Sequence, residues 1–65
     1  MKFYAVYDGG YEYIQHVLDE VEYEAEYGHL NVHYQPRVRA FDTRESAEDF
    51  ERAQNRRAAR YYGRG

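Results

Sequence analysis

A run of alternating glutamates is the strongest chemical feature of this sequence. Between residues 20 and 26 every second position is a glutamate, and Val21, Tyr23 and Ala25 fill the positions between them. In a β-strand these carboxylates share one face and recur about every 6.6–6.8 Å, since each residue advances the chain by about 3.3–3.4 Å. The spacing is similar to that of a row of nucleic-acid phosphates. The predicted row comprises Glu20, Glu22, Glu24 and Glu26, with Glu12 and Asp19 extending its field.

Catalytic and metal-binding patterns are weak by comparison. His29 and His33 have the spacing of a zinc pair on a helix, but their segment is predicted to be extended, which separates them by about 13 Å. Glu20 and Glu22 could act as an acid and a base, yet no nucleophile or orienting partner accompanies them. The sequence therefore favours a protein that is not an enzyme and uses no metal or cofactor.

Tyrosine is the second residue type suited to contacts with a partner. Nine tyrosines and no tryptophan occur in 65 residues. A tyrosine ring can be buried while its hydroxyl group stays in water, so the residue is common both in cores and at interfaces. We expect a secondary partner-binding surface at Tyr11, Tyr13 and Tyr34.

The acidic row has an alternative interpretation, which is a solvated surface that only keeps the domain soluble.

Charge is distributed unevenly along the chain. Residues 1–35 hold seven acids and one lysine, a net charge of −6, and residues 36–65 hold five acids and eight arginines, a net charge of +3. The arginines from Arg52 onwards could contact phosphate while Tyr61 and Tyr62 stack on bases. A helix dipole, which attracts cations to the C-terminal end, explains the same arginines without a ligand. Because the pI is about 5.5, we expect no direct binding to nucleic acid.

Length and composition predict one small domain over residues 1–60, followed by a flexible tail over residues 61–65. A chain of 65 residues buries only about 60% of the surface that its unfolded form exposes. The absence of cysteine fits a reducing cytoplasm. No apolar run approaches the roughly 18 residues of a membrane span, and no signal-peptide pattern is present. We expect a cytoplasmic monomer that does not associate with membranes.

Four further segments are predicted to be extended. Residues 2–8 are rich in aromatic and β-branched residues, and Gly9 and Gly10 then supply a tight turn into a returning strand over residues 11–17. Residues 30–34 alternate in the same way, and residues 37–41 resume extended structure after Pro36.

The segment 14–27 has two interpretations. Its apolar residues Ile14, Val17, Leu18, Val21 and Ala25 fall on one face of a helix that Gly28 could end. The alternation of acids and apolar residues over 20–27 has instead the period of a half-buried strand, and valine and tyrosine favour strands although glutamate favours helix. We prefer the strand and retain a second helix around residues 14–27 as the alternative.

A helix is predicted to run from about residue 43 to residue 60. Asp42 or Thr43 can cap it, and Glu45 follows Asp42 at the spacing of a capping box. The expected fold is α+β, with an antiparallel sheet of three to four strands packed against this C-terminal helix. The predicted core comprises Phe3, Ala5, Tyr7, Val21, Tyr23, Ala25, Leu30, Val32, Phe41, Ala47 and Phe50.

The order of these elements resembles the small hybrid-binding domain at the N-terminus of some ribonucleases H. The likeness rests on Phe3-Tyr4-Ala5-Val6, the glycines, a strand around Ile14 and the run from Arg39 to Phe50. That family grips RNA/DNA duplexes with basic and aromatic side chains. Here glutamates occupy the middle of the chain, so the resemblance implies the layout of the elements and not the activity.

The size, the acidic middle and the arginine-rich end are similar to those of phage-encoded anti-CRISPR proteins that imitate DNA and inhibit type I systems. The resemblance implies a stoichiometric inhibitor in the cytoplasm of a host bacterium. Its partner would be a protein with a basic DNA-binding surface, such as a Cas protein of Cascade, and the residues that carry the mimicry would be Glu20, Glu22, Glu24 and Glu26. The alternatives are a nucleic-acid-binding module that uses the C-terminal arginine cluster and a structural or regulatory domain.

Overall fold

The structure is a computed structural model that describes residues 1–9 and 12–62. It contains a three-stranded antiparallel sheet, two α-helices and a short 3-10 helix. In chain order the elements are β1 (Phe3–Tyr7), β2 (Ile14–Asp19), α1 (Glu20–Tyr27), the 3-10 helix (Val32–Tyr34), β3 (Val38–Phe41) and α2 (Arg44–Tyr62). The predicted α+β class, with an antiparallel sheet against a C-terminal helix, is confirmed.

Strand β1 lies at the centre of the sheet. The strand order is β2-β1-β3, and β1 pairs antiparallel with both neighbours. Its residues Ala5 and Val6 are fully buried, one on each face, because successive side chains in a strand point to opposite faces. Helix α2 covers the face of Ala5, where the Phe50 ring lies near the Tyr7 ring, and α1 covers part of the face of Val6, where the Tyr23 ring lies near the Tyr4 ring.

The α2 face holds the larger part of the core. Ala47, Gln54 and Ala58 are the buried residues of α2, at the spacing of one helical face. Between them the Phe50 ring packs 5.3 Å from the Phe41 ring and 6.4 Å from the Tyr7 ring, measured between centroids. Small residues at the helix contact let α2 approach the sheet closely, and half-buried aromatic rings fill the margin.

Two amide side chains of α2 fix the start of β2. The Asn55 side chain accepts a hydrogen bond from the Ile14 N–H at 2.6 Å and donates one to the Ile14 carbonyl at 3.2 Å. The Gln54 amide donates to the Glu12 carbonyl at 2.9 Å. These contacts set the beginning of β2 at Ile14, three residues later than the sequence predicts, and a β-bulge lies opposite Val6 and Tyr7.

Helix α2 begins with Thr43 as its cap. The Thr43 hydroxyl accepts a hydrogen bond from the Ser46 N–H at 3.1 Å. Asp42 instead forms an ion pair with Lys2 at 2.7 Å, which lowers the pKa of Asp42 and raises that of Lys2. The capping box predicted for Asp42 and Glu45 is therefore not the cap that forms. The helix continues through Tyr61 and Tyr62, beyond its predicted end, and residues 63–65 lie outside the described residues.

The strand predicted over residues 20–27 is wrong, because this segment is helix α1. Asp19 ends β2 and caps the helix: its carboxylate accepts from the Glu22 N–H at 2.8 Å, and the Glu22 carboxylate accepts from the Asp19 N–H at 2.8 Å. This is a complete capping box. The alternative of a second helix around residues 14–27 is confirmed over Glu20–Tyr27, whereas Ile14–Asp19 is strand.

The strand predicted over residues 30–34 is also wrong. The Asn31 side chain accepts a hydrogen bond from the His33 N–H at 2.9 Å and starts the 3-10 helix Val32–Tyr34. Among the predicted core residues, Val21 and Val32 are 66% and 73% exposed, and Ala25 is exposed as well. Each of these errors follows from the prediction of a strand where a short helix forms. The predicted strand placed in the core residues that the helix exposes.

Replacing Phe50 by alanine should destabilise the domain by about 3 kcal/mol, the lower end of the usual cost of a core phenylalanine, because the ring is half-buried. In a domain of this size such a loss leaves little stability. Urea unfolding followed by circular dichroism measures it. Tyr61→Ala, on the same helix but with 82% of the tyrosine exposed, is the matched control. Equal stability of the two variants would show that α2 does not dock through Phe50.

Candidate functional site

Helix α1 lies on the sheet through two tyrosines. The Tyr23 ring is 5.0 Å from the Tyr4 ring and 5.2 Å from the Tyr27 ring, measured between centroids. The Tyr27 hydroxyl lies 3.2 Å from His16 Nε2 on β2. No residue of α1 is fully buried. The helix is therefore held along one side only, and most of its circumference faces solvent.

The glutamates of α1 form two short rows and not the single row that a strand would produce. Residues of an α-helix are turned by about 100° from one another, so residues four apart stack on the same side. With Tyr23 and Tyr27 facing the sheet, Glu20 and Glu24 lie on one flank and Glu22 and Glu26 on the other. Within each row the two residues are about 6 Å apart along the axis. The exposed residues Val21 and Ala25 form the ridge between the rows.

The first acid of each row is engaged within the domain. The Glu20 carboxylate accepts a hydrogen bond from the Lys2 backbone N–H at 2.9 Å. Glu22 belongs to the capping box, and the Arg44 guanidinium lies 3.7 Å from its carboxylate and 3.8 Å from that of Asp19. Asp19 and Glu22 therefore have a structural role at the start of α1, whatever partner the surface meets.

The second acid of each row has no such role. Glu24 and Glu26 are exposed and make no side-chain hydrogen bond or ion pair within residues 1–9 and 12–62. They lie near the C-terminal end of α1, where the helix dipole disfavours negative charge. The absence of a Cβ on Gly28 leaves room for the Glu24 carboxylate, which a larger residue would meet. Their placement costs stability, so the fold itself does not explain them.

Glu12 lies outside both rows. It stands in the loop before β2 with a backbone φ of 67°, a left-handed conformation that is uncommon for glutamate. Its carboxylate forms an ion pair with Arg37 at 2.9 Å. Glu12 thus joins two loops at the end of the sheet. The sequence predicts that Glu12 extends the acidic row, but Glu12 does not extend the acidic surface of α1.

The tyrosines predicted to contact a partner have separate surroundings. Tyr34 is 77% exposed and lines a groove of about 510 Å³ together with Tyr7 and Tyr27. Tyr13 is half-buried beside this end of the sheet, and Tyr11 lies outside the described residues. Sequence reasoning missed Tyr27 and Arg37 as groove residues. No local pattern marks them, because they come together only when the loops before β2 and β3 meet.

A second concave surface lies at the C-terminal end of α2. It has a volume of about 250 Å³ and is lined in part by Arg57, Tyr61 and Tyr62, with Gln54 and Glu12 beside them. The Tyr61 and Tyr62 rings pack edge to face with centroids 5.1 Å apart. The structure thus places Arg57, one of the arginines predicted for a nucleic-acid contact, beside the two tyrosines predicted to stack on bases.

Among the described residues no three His, Asp or Glu side chains gather in an arrangement that could hold a metal ion. No helix among them has the length and apolar character needed to cross a bilayer. No protein-family model, curated protein or solved structure matches the chain. The two acidic rows and the two concave surfaces are the features of the described residues that could contact a partner.

Tyr23 should ionise at a higher pH in the folded protein than in the unfolded chain. Burial raises the pKa of Tyr23, and the neighbouring Glu24 carboxylate raises it further. The neutral phenol is thus favoured in the folded state. This stabilisation is complete below the unfolded pKa of about 10 and is lost as pH rises through the folded pKa.

NMR of ring-labelled tyrosine, assigned with a Tyr23→Phe variant, measures this titration with and without urea. Glu24→Gln should move the folded pKa of Tyr23 back towards the unfolded value, because it removes a negative charge near the phenolate. Identical pKa values for Tyr23 in the folded and the unfolded chain would contradict the docking of α1 through this ring.

Proposed function

We propose that this chain is a non-catalytic binding protein that holds a basic surface of another protein against α1. The observation that carries the proposal is the pair Glu24 and Glu26, which are exposed, unpaired among the described residues and placed where the helix dipole opposes them. A cationic partner surface would attract these two carboxylates and offset the cost of their place near the C-terminal end of α1. Complementary charge of this kind speeds association and selects the partner.

The geometry of α1 favours a partner that otherwise binds nucleic acid. The two rows lie on opposite flanks of a helix whose diameter with side chains is about 10–12 Å. Two phosphate backbones face each other across a major groove about 12 Å wide. A protein surface built to hold phosphates on two sides could thus receive the carboxylates instead. The ridge of Val21 and Ala25 between the rows adds an apolar contact that DNA does not offer.

The proposed mode of action is stoichiometric inhibition by occupation of a DNA-binding surface. In its most specific form the partner is a Cas protein of a type I CRISPR system, and the site of action is the cytoplasm of a bacterium infected by phage. The resemblance of the sequence in size and charge distribution supports this form, and α1 replaces the predicted strand as the element that would imitate DNA. We propose a monomer that does not itself bind nucleic acid.

A small nucleic-acid-binding module is the second candidate function. It is favoured by the concave surface at the end of α2, where Arg57 lies beside Tyr61 and Tyr62. Aromatic rings can stack on bases while arginine neutralises phosphate. Against it stands the net charge of −3, which repels nucleic acid over a Debye length of about 8 Å at physiological salt. Retardation of DNA or RNA by the isolated protein at about 150 mM salt would favour this candidate over the first.

Reversing the charge of Glu24 and Glu26 to lysine should abolish binding to the partner and leave the fold intact, because exposed substitutions seldom change stability by more than about 0.5 kcal/mol. Glu24 and Glu26 are better targets than Glu22, whose replacement breaks the capping box. The matched control reverses Glu45 and Asp49, two exposed acids of α2, which changes the net charge equally.

The measurement is capture from bacterial lysate by the tagged protein, with bound proteins identified by mass spectrometry. The parent and the α2 control should retain basic DNA-binding proteins, and the α1 variant should lose them. Duplex DNA and added salt should both release the captured proteins. Retention of the same proteins by a folded α1 variant would show that the two acidic rows only solubilise the domain.

A further inference from the structure

The groove lined by Tyr7, Tyr27 and Tyr34 has about twice the volume of the concave surface at the end of α2. It lies at the end of the sheet where the loop before β2 meets the loop before β3. Its volume of about 510 Å³ is within the range of ordinary ligand sites, about 300–1,000 Å³. Nothing in the proposed role of α1 accounts for it.

One guanidinium group of the chain already lies in this groove. Arg37 is stacked over the Tyr7 ring with 4.0 Å between its Cζ atom and the ring centroid, and it pairs with Glu12 at 2.9 Å. An aromatic face and a carboxylate together satisfy a guanidinium, because the ring attracts the cation and the carboxylate accepts its N–H groups. Within the groove, therefore, a tyrosine ring and a carboxylate already bind one arginine side chain together.

A second aromatic ring and a second carboxylate line the groove, and no guanidinium group of the described residues is paired with them. Tyr34 is 77% exposed, and the Asp8 carboxylate makes no side-chain hydrogen bond or ion pair with another described residue. Both line the groove, together with the amide side chains of Gln15 and Gln35. Its charged residues, Asp8, Glu12 and Arg37, leave a formal charge of −1. An aromatic groove with a spare carboxylate is complementary to a cation.

We propose that this groove binds an arginine side chain of the protein partner, with the guanidinium stacked on Tyr34 and paired with Asp8. The inference rests on the proposed function, since a basic partner surface supplies such side chains, and it adds a second contact beyond α1. Arginine is favoured over lysine because its planar guanidinium both stacks on a ring and donates in parallel to a carboxylate. The groove would then fix the orientation of a partner that α1 attracts.

The test uses the isotope-labelled full chain and three synthetic peptides that are identical except for one residue type. Each peptide has two arginines, two lysines or two citrullines between glycines, and citrulline keeps the shape of arginine without the charge. NMR titration should show that the arginine peptide shifts the amide signals of Asp8 and Tyr34. It should bind about 3- to 5-fold more tightly than the lysine peptide and more tightly still than the citrulline peptide.

Variants locate the contact. Tyr34→Ala and Asp8→Asn should each weaken binding of the arginine peptide about 3- to 5-fold. Tyr61→Ala, which removes an exposed ring outside the groove, should leave it unchanged. The variant with lysine at positions 24 and 26 should retain the shifts at Asp8 and Tyr34, because these acids do not line the groove.

Three results would overturn the inference: equal binding of the citrulline peptide, equal binding of the lysine peptide, or shifts confined to α1. Shifts confined to α1 would leave the proposed function standing and remove only the groove. Arginine binding in the groove, combined with partner capture that survives charge reversal on α1, would instead reject the proposed function and retain the groove.

Discussion

The packing of both faces of β1 is the constraint on which the rest of the structure depends. β1 is the strand between β2 and β3, and it has α2 on one face and α1 on the other. Among the described residues Val6 is the largest side chain that is fully buried. So short a chain cannot enclose a large core, and the aromatic rings around Ala5 and Val6 contribute from half-buried positions. This explains why tyrosine is so frequent: its ring packs inwards while its hydroxyl group remains in water.

The acidic surface of α1 depends on the change from strand to helix at Asp19. The capping box starts α1 directly after β2, and Tyr23 and Tyr27 then reach back to the sheet. Because the inward side of α1 is occupied by these two rings, its glutamates are directed to the flanks. The acids at the start of the helix stabilise it, whereas Glu24 and Glu26 near its end do not. The acids at the start of α1 therefore have a structural role, and Glu24 and Glu26 carry the proposed function.

Much of the fold could be predicted from the sequence, because it depends on local patterns. The alternation in β1, the extended segment after Pro36 and the amphipathic face of α2 each indicate the element that forms. Residues 20–27 could not be assigned by period alone. A pattern with a period of two also pairs every residue with the one four positions later, so Tyr23 and Tyr27 suit one face of a strand and one side of a helix.

The signal that decides this segment was nevertheless present in the sequence. Asp19 and Glu22 have the spacing of a capping box, and that spacing outweighs the strand preference of valine and tyrosine once the helix can dock. The tyrosine groove had no comparable signal. Arg37 and Tyr7 are far apart in sequence and meet only through the pairing of β1 with β3. Single residues such as Tyr34 could be named as contacts, but their shared groove could not.

The helical state of residues 20–27 is the claim on which the arrangement of the acids depends, and NMR of the labelled protein tests it most directly. We expect helical Cα chemical shifts from Glu20 to Tyr27 and nuclear Overhauser contacts between the Tyr4 and Tyr23 rings, whose centroids are 5.0 Å apart. Extended Cα shifts over these residues, with cross-strand contacts in place of the Tyr4–Tyr23 contact, would contradict it and restore a single row of carboxylates.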